Sequence, residues 1–243
     1  MPTRLESLVV DAADPRALAR WWADALGWAV TAQEPLEVAV EPPTPDDLGV
    51  PLVFVAVADP KVGKNRLHLD LPSASADDQA AQVARLVGLG ARPADIGQGE
   101  EAPWVVLADP KGNEFCVLDW HDEYAATGAV AAMVVDAADP PALARFWSQA
   151  AGWPPVGSGE RSSLLRSASG QGPYLEFVTV EEPKRVKNRL HLDVAPYPGE
   201  DHAAEVARLR ALGATPTDVG QRGVARVVMA DPEGNEFCVL TPR

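Results

Sequence analysis

VVDAADPRALARWWADALGW, residues 9–28, returns as VVDAADPPALARFWSQAAGW, residues 134–153, an offset of 125. Outward from that stretch, KNRLHLDL at 64–71 returns as KNRLHLDV at 187–194, an offset of 123. ADPKGNEFCVL at 108–118 returns as ADPEGNEFCVL at 230–240, an offset of 122. Order and spacing are kept, so only loops differ in length. The period is too long for a solenoid and marks a tandem duplication. We divide the chain into a first unit, 1–120, a short polar linker HDEYAATG, 121–128, and a second unit, 129–243. Each unit has the size of an ordinary domain.

Local chemistry places the elements. Asp14-Pro15 and Asp139-Pro140 read as helix starts, with Asp as the cap and Pro at the first helical position. Leu18, Trp21, Trp22 and Leu26 form an apolar stripe at helical spacing, and Gly27 supplies a left-handed stop. PLVFVAV from Pro51, the run Asn65–Leu71, WVVL from Trp104 and EFCVL from Glu114 read as strands. Asp109-Pro110-Lys111-Gly112 and Asp231-Pro232-Glu233-Gly234 suit type I turns. Val83, Leu86, Val87 and Leu89 mark a further helix. Each unit is therefore two βαβββ-like modules, and the segments 41–51 and 154–160 read as loops.

Composition limits the partners. With 47% hydrophobic and 23% charged residues the chain is globular, and its net charge of −14 repels phosphate backbones and anionic lipid. Nucleic acid and membrane are excluded as expected partners, and a small molecule remains. No window approaches the ~18 apolar residues of a membrane span. MPTRLESLVV lacks the apolar core of a signal peptide, and the two cysteines, Cys116 and Cys238, form no zinc-type spacing. A cytoplasmic protein with reduced thiols is expected. Gly97-x-Gly99-x-x-Ala102 mimics a dinucleotide fingerprint, but Pro103 and a strand follow it, so no nucleotide cofactor is implied.

The turn before the final strand, the helix ending in LGW and the HLD strand between them resemble the vicinal oxygen chelate superfamily. That is the group of glyoxalases, bleomycin-resistance proteins and extradiol dioxygenases, and the resemblance covers nearly the whole chain twice. It implies an α+β fold in which paired βαβββ modules curl a mixed sheet into a cup, with helices on the convex face and a ligand or metal on the concave one. It also implies one metal ligand at the place of His68 and His191. The other ligand places hold Cys116 and Cys238, Ser7 and Ala132, and Val53 and Glu176. Two ligands per cup fall short of the usual three or four. No cofactor is assigned; a divalent metal stays open, with His68, His191 and Glu176 as its candidate ligands.

Strand alternation gives the same face without the family. In Arg66–Leu71 the leucines share one side while Arg66, His68 and Asp70 share the other, and Arg189, His191 and Asp193 repeat this. His68 and His191 are the candidate acid–base residues, each in its own cup, or else each props its neighbouring Asp. Arg66 and Arg189 are candidates for capturing a carboxylate or phosphate at the rim. Trp104, replaced by Arg226 in the second unit, is the aromatic candidate for a pocket wall. Cys116 and Cys238 are candidates for ligand contact or apolar core positions, and Glu114 and Glu236 share their face. Glu176, on the strand PYLEFVTV, is the second unit's ligand candidate at that place, with its facing left open by the sequence.

Three functions compete. The first is a glyoxalase-like protein that binds a small organic molecule in one or both cups, acting without a metal if it is an enzyme. The second is a metal-dependent lyase, isomerase or dioxygenase using His68 or His191. The third is a drug-sequestering protein of the bleomycin-resistance kind. At most one cup is expected to carry the main function, in a monomer or a homodimer.

Overall fold

The computed structural model describes residues 3–43, 49–99, 101–220 and 226–242. Part of the expected loop 41–51, residues 44–48, lies outside them. The first module comprises β1 (Arg4–Ala12), α1 (Pro15–Leu26), β2 (Ala29–Gln33), β3 (Glu37–Glu41) and β4 (Leu52–Ala56). The second comprises β5 (Leu67–Leu71), α2 (Ala76–Gly88), β6 (Arg92–Pro93), β7 (Val105–Ala108) and β8 (Glu114–Val117). The third comprises β9 (Ala132–Ala137), α3 (Pro140–Ala151), β10 (Pro155–Ser158), β11 (Ser162–Arg166) and β12 (Tyr174–Thr179). The fourth comprises β13 (Leu190–Ala195), α4 (His202–Ala211), β14 (Thr215–Pro216), β15 (Arg226–Ala230) and β16 (Glu236–Leu240). The fold is α+β, and the segment 154–160, expected as loop, contains β10.

The modules pair across the duplication. One eight-stranded mixed sheet runs β14-β15-β16-β13-β1-β4-β3-β2, and the other runs β10-β11-β12-β9-β5-β8-β7-β6. Each sheet thus joins one module of the first repeat to one of the second. The joins are antiparallel: Val9 faces His191 and Ser7 faces Asp193 between β1 and β13, while His68 faces Val134 and Asp70 faces Ala132 between β5 and β9. The sequence repeats and the sheets are different partitions of one chain.

Local signals explain the helices. Asp14 and Asp139 accept from the amides of Ala17 and Ala142 at 3.0 Å, and Gly27 and Gly152 end α1 and α3 at φ 69° and 72°. One continuous apolar core takes residues from both sheets and all four helices. It contains Leu67, Leu69 and Leu71 of β5 and Leu190, Leu192 and Val194 of β13, the alternate positions predicted to face helices. Burying each such side chain contributes roughly 1.5–3 kcal/mol.

Contacts within a repeat survive through the helices. Trp21 and Trp22 of α1 pack against Phe115 of β8, in the other sheet, and Phe146 and Trp147 of α3 pack the same way on Phe237. The indole of Trp22 also donates to the Asp109 carboxylate at 3.1 Å, and Trp147 donates to Asp231 at 3.1 Å. Each Asp closes its turn by accepting from the amide of Asn113 or Asn235. Gly112 and Gly234 complete those turns at φ 86° and 84°, which a side chain would strain.

Candidate functional site

Two buried clusters sit on the faces turned away from the helices. His68 and Asp70 alternate on β5, and Cys116 stands opposite Asp70 on the neighbouring β8. His191 and Asp193 on β13 and Cys238 on β16 repeat the arrangement. Within each cluster one donor atom per residue lies within 4.8 Å of the others. The His68 Nε2–Asp70 Oδ1 and His191 Nε2–Asp193 Oδ1 separations are both 3.4 Å, and Cys238 Sγ lies 3.5 Å from His191 Nε2. The imidazoles face the expected side, but His68 and His191 are only 9% and 7% exposed. They meet protein rather than an open, water-filled hollow. Val106, Cys116, Leu118 and Ala131 pack together beside the first cluster, and Ala195, Cys238 and Leu240 beside the second.

The two clusters differ in their surroundings. Glu176 on β12 faces Val134 on β9, which faces His68, so Glu176 belongs to the sheet of His68. Its assignment to the cup of His191 is corrected: β12 pairs with β9, and β9 pairs across the repeat boundary with β5. Tyr124, from the short 3-10 helix Asp122–Tyr124 in the linker, packs against this apolar patch and makes an edge contact with Tyr174. The fields of Asp70 and Glu176 both reach its hydroxyl. Sequence reading missed Tyr124, whose single signal was an aromatic ring in an otherwise polar linker. The His191 cluster has Val53 and Ser7 on the corresponding strands, and Arg226 at the start of β15 acts on Cys238. Trp104, the counterpart of Arg226, is 38% exposed just before β7, on the alternation face of Val106.

Burial sets the protonation of the His68 cluster. Desolvation, aided by the charge of Lys64, pushes the His68 imidazolium down to about 3. Desolvation pushes the Asp70 carboxyl up to about 7; a hydrogen bond from the Cys116 thiol opposes this and Glu176 adds to it. Burial likewise raises Glu176, and Glu123 adds to it while a hydrogen bond with Ser162 opposes it. Both cysteine thiols are pushed up by burial. At neutral pH the imidazole is uncharged and both thiols stay protonated. His68 Nδ1 and Asp70 Oδ1 are buried without a hydrogen-bond partner among the described residues, and Asp193 Oδ1 is the corresponding atom in the other cluster. Such orphans cost roughly 1–3 kcal/mol each.

Arg66 and Arg189 do not wait at a cup rim for an anion. The Arg66 guanidinium donates to the carbonyls of Glu182 (2.8 Å) and Asp136 (2.7 Å), and Arg189 donates to those of Asp59 (2.9 Å) and Asp11 (2.7 Å). A planar fork suits such paired acceptors, so both side chains tie the repeats together. Glu114 and Glu236 are occupied too, by Lys61 and Lys184 at 2.7 Å.

The architecture is that of proteins built from paired βαβββ modules, with buried polar side chains on the faces opposite their helices. The model of the glyoxalase-like domain matches residues 7–118 and again 132–240, so the chain belongs to the glyoxalase-like domain family. Among solved structures, glyoxalase I from Zea mays is 13% identical with a TM-score of 0.66, over 98% of this chain and 92% of that one. A putative dioxygenase from Bacillus subtilis is 15% identical with a TM-score of 0.64, over 99% of this chain and 86% of that one. At such identities the likeness is one of fold. No curated protein matches the sequence. Among the described residues, no helix is long and apolar enough to cross a membrane.

Proposed function

We propose that the chain binds a small organic molecule at the His68 cluster and acts on it there by proton transfer. The observation that carries this reading is the pair of orphaned buried atoms, His68 Nδ1 and Asp70 Oδ1, beside Glu176 and Tyr124. A ligand that offers a polar group to each of them satisfies both. Asp70, with its carboxyl near neutrality, serves as the proton donor, and the uncharged His68 accepts through Nδ1. Tyr124 covers the site and moves to admit the ligand. The His191 cluster is the structural copy, because Arg226 brings a permanent positive charge to a cup without a counterpart of Glu176. We read 1–120 and 129–243 as the duplicated units joined by 121–128, in a cytoplasmic protein. Four modules complete both sheets within one chain, which supports a monomer.

A second reading has its own support in the donor set. Nitrogen, carboxylate and thiolate donors around a tetrahedral metal stand about 3.3–3.8 Å apart. The 3.4 Å His–Asp separation and the grouping of the Cys116 sulfur within 4.8 Å fit that chemistry. His68, Asp70 and Cys116 would hold zinc or iron, with Glu176 nearby, once the carboxyl and thiol gave up their protons. The metal would supply Lewis-acid polarisation of a bound oxygen.

Ligand-observed NMR of the purified chain against a panel of small carbonyl and phenolic compounds, alongside metal analysis, tests both readings. Binding lost at least tenfold in Asp70→Asn and Glu176→Gln, but kept in His191→Ala, is expected. Hits that survive both His68-cup substitutions sink the assignment. Near-stoichiometric metal that disappears in His68→Ala replaces the first reading with the second. Turnover of a bound compound separates an enzyme from a sequestering protein of the bleomycin-resistance kind.

A further inference from the structure

A cavity of about 560 Å³ lies away from both clusters, where the chain passes between sheets. Its walls are two crossovers, residues 59–66 leading from β4 to β5 and residues 180–189 leading from β12 to β13. The offset of 123 superimposes them, matching Lys61 to Lys184, Lys64 to Lys187 and Arg66 to Arg189. Lys64 bonds Asp136 at 2.7 Å and Lys187 bonds Asp11, and these pairs fix the cavity's inner wall. Arg66 and Arg189 reach across the seam to neutral carbonyls; Arg66 also pairs with Glu233 at 3.8 Å, whereas Arg189 makes no ion pair among the described residues. Six cationic and four acidic side chains line the cavity. Lys184 is paired with Glu236 at 2.7 Å, which leaves Arg185 and Arg189 as the lining cations without an ion pair among the described residues.

Among the cavity-lining positions the duplication changes charge at one, and it also replaces Gly63 with Val186. Arg185 occupies the position that Val62 holds in the first crossover. Arg185 is exposed and makes no ion pair among the described residues, while Val62 and Val186 expose 63% and 50% of their surface beside it. The cavity therefore offers a guanidinium without an ion pair together with exposed apolar side chains. A volume of this size suits a small organic ligand. An anionic group gains charge-assisted hydrogen bonds from a guanidinium, and an apolar body gains by leaving water.

We propose that this seam binds a small amphipathic organic anion, with its carboxylate beside Arg185 and its apolar body against Val62, Val180 and Val186. Such a ligand clamps the two crossovers together and so stabilises the exchanged arrangement of modules. The site is separate from the His68 cluster and does not depend on its activity.

Octanoate is the probe, titrated into the full chain by calorimetry and ligand-observed NMR. Saturable binding is expected, weakened at least tenfold by Arg185→Glu and several-fold by Val62→Asp, and unchanged by Asp70→Asn. Arg185 and Val62 are both exposed, so the variants keep the fold, with circular dichroism as the check. Absence of saturable binding at millimolar octanoate overturns the proposal. So does equal binding by Arg185→Glu, or equal binding of neutral octanol. Binding lost only in Asp70→Asn assigns octanoate to the cup and removes the seam site.

Discussion

Glu176 and His68 share one face of one sheet, linked in register through Val134, although they belong to different repeats. The site is thus composite: β5 and β8 bring His68, Asp70 and Cys116, while β9 and β12 bring the opposite wall. A single repeat contains half of each cup. Residues 1–128 expressed alone leave the edges of β1 and β5 without their partners β13 and β9. We expect that fragment to dimerise or aggregate, and to form a 1:1 complex when co-expressed with residues 129–243. A folded, monodisperse monomer of the fragment in light scattering contradicts the exchanged topology.

His68 and Asp70 are predicted to give opposing pH dependences of stability in metal-free protein. The folded imidazole titrates at about 3, below its unfolded value, so its contribution is present above pH ~6.5 and is lost as pH falls toward 3. The folded Asp70 carboxyl titrates at about 7, above its unfolded value, so its contribution is present below pH ~4 and is lost as pH rises toward 7. Between pH ~4 and ~6.5 the two slopes nearly cancel. Asp70→Asn should unmask stability that rises with pH by up to ~1.4 kcal/mol per unit, and His68→Gln should unmask the reverse. Urea unfolding at half-unit pH steps measures both. Slopes of the same sign in the two variants refute the neutral-pair assignment.

The repeats, the capped helices and the turns were legible because their signals are local. Asp14 and Asp139 cap where a short polar residue precedes Pro, and the leucines of β5 and β13 alternate toward the helices as the pleat requires. Of the hairpin β2–β3, β3 alternates as EVAVE, but β2 is an exposed edge strand with no alternating apolar pattern to announce it. The exchange of modules was also invisible. Near-identical repeats offer each strand an equivalent partner in its own repeat or in the other, so side-chain alternation cannot choose between them. For that reason the sequence groups Glu176 with the imidazole of its own repeat, whereas the sheet brings it to His68. The fates of Arg66 and Arg189 depended on carbonyls more than 60 residues away in sequence, which no local pattern announces.

The Trp22–Asp109 bond predicts where the fold is most sensitive. Trp22→Phe keeps an aromatic ring beside Phe115 but leaves the buried Asp109 carboxylate one donor short. A loss of roughly 2 kcal/mol is expected from the unpaired acceptor and the small cavity. Trp147→Phe should cost a similar amount through Asp231. Trp104→Phe, at an exposed position, should stay within about 0.5 kcal/mol. Denaturant midpoints compare all three, and equal midpoints for Trp22→Phe and Trp104→Phe discount the indole–turn bond.

The cysteines supply a last test of how closed the clusters are. Cys116 and Cys238 are free thiols, 4% and 2% exposed, and burial raises both above the ordinary thiol range. Thiolate is the reactive form, so low exposure and a raised pKa both slow attack on a disulfide reagent. Native protein at pH 8 should release almost no chromophore from Ellman's reagent over minutes, and two equivalents after unfolding in guanidinium. If opening of the Tyr124 cover governs access, Tyr124→Gly should speed the reaction of Cys116 at least several-fold and leave Cys238 unchanged, as read by peptide mapping. Rapid reaction of native Cys116 in the wild-type chain contradicts the closed cluster and makes that thiol a nucleophile candidate instead.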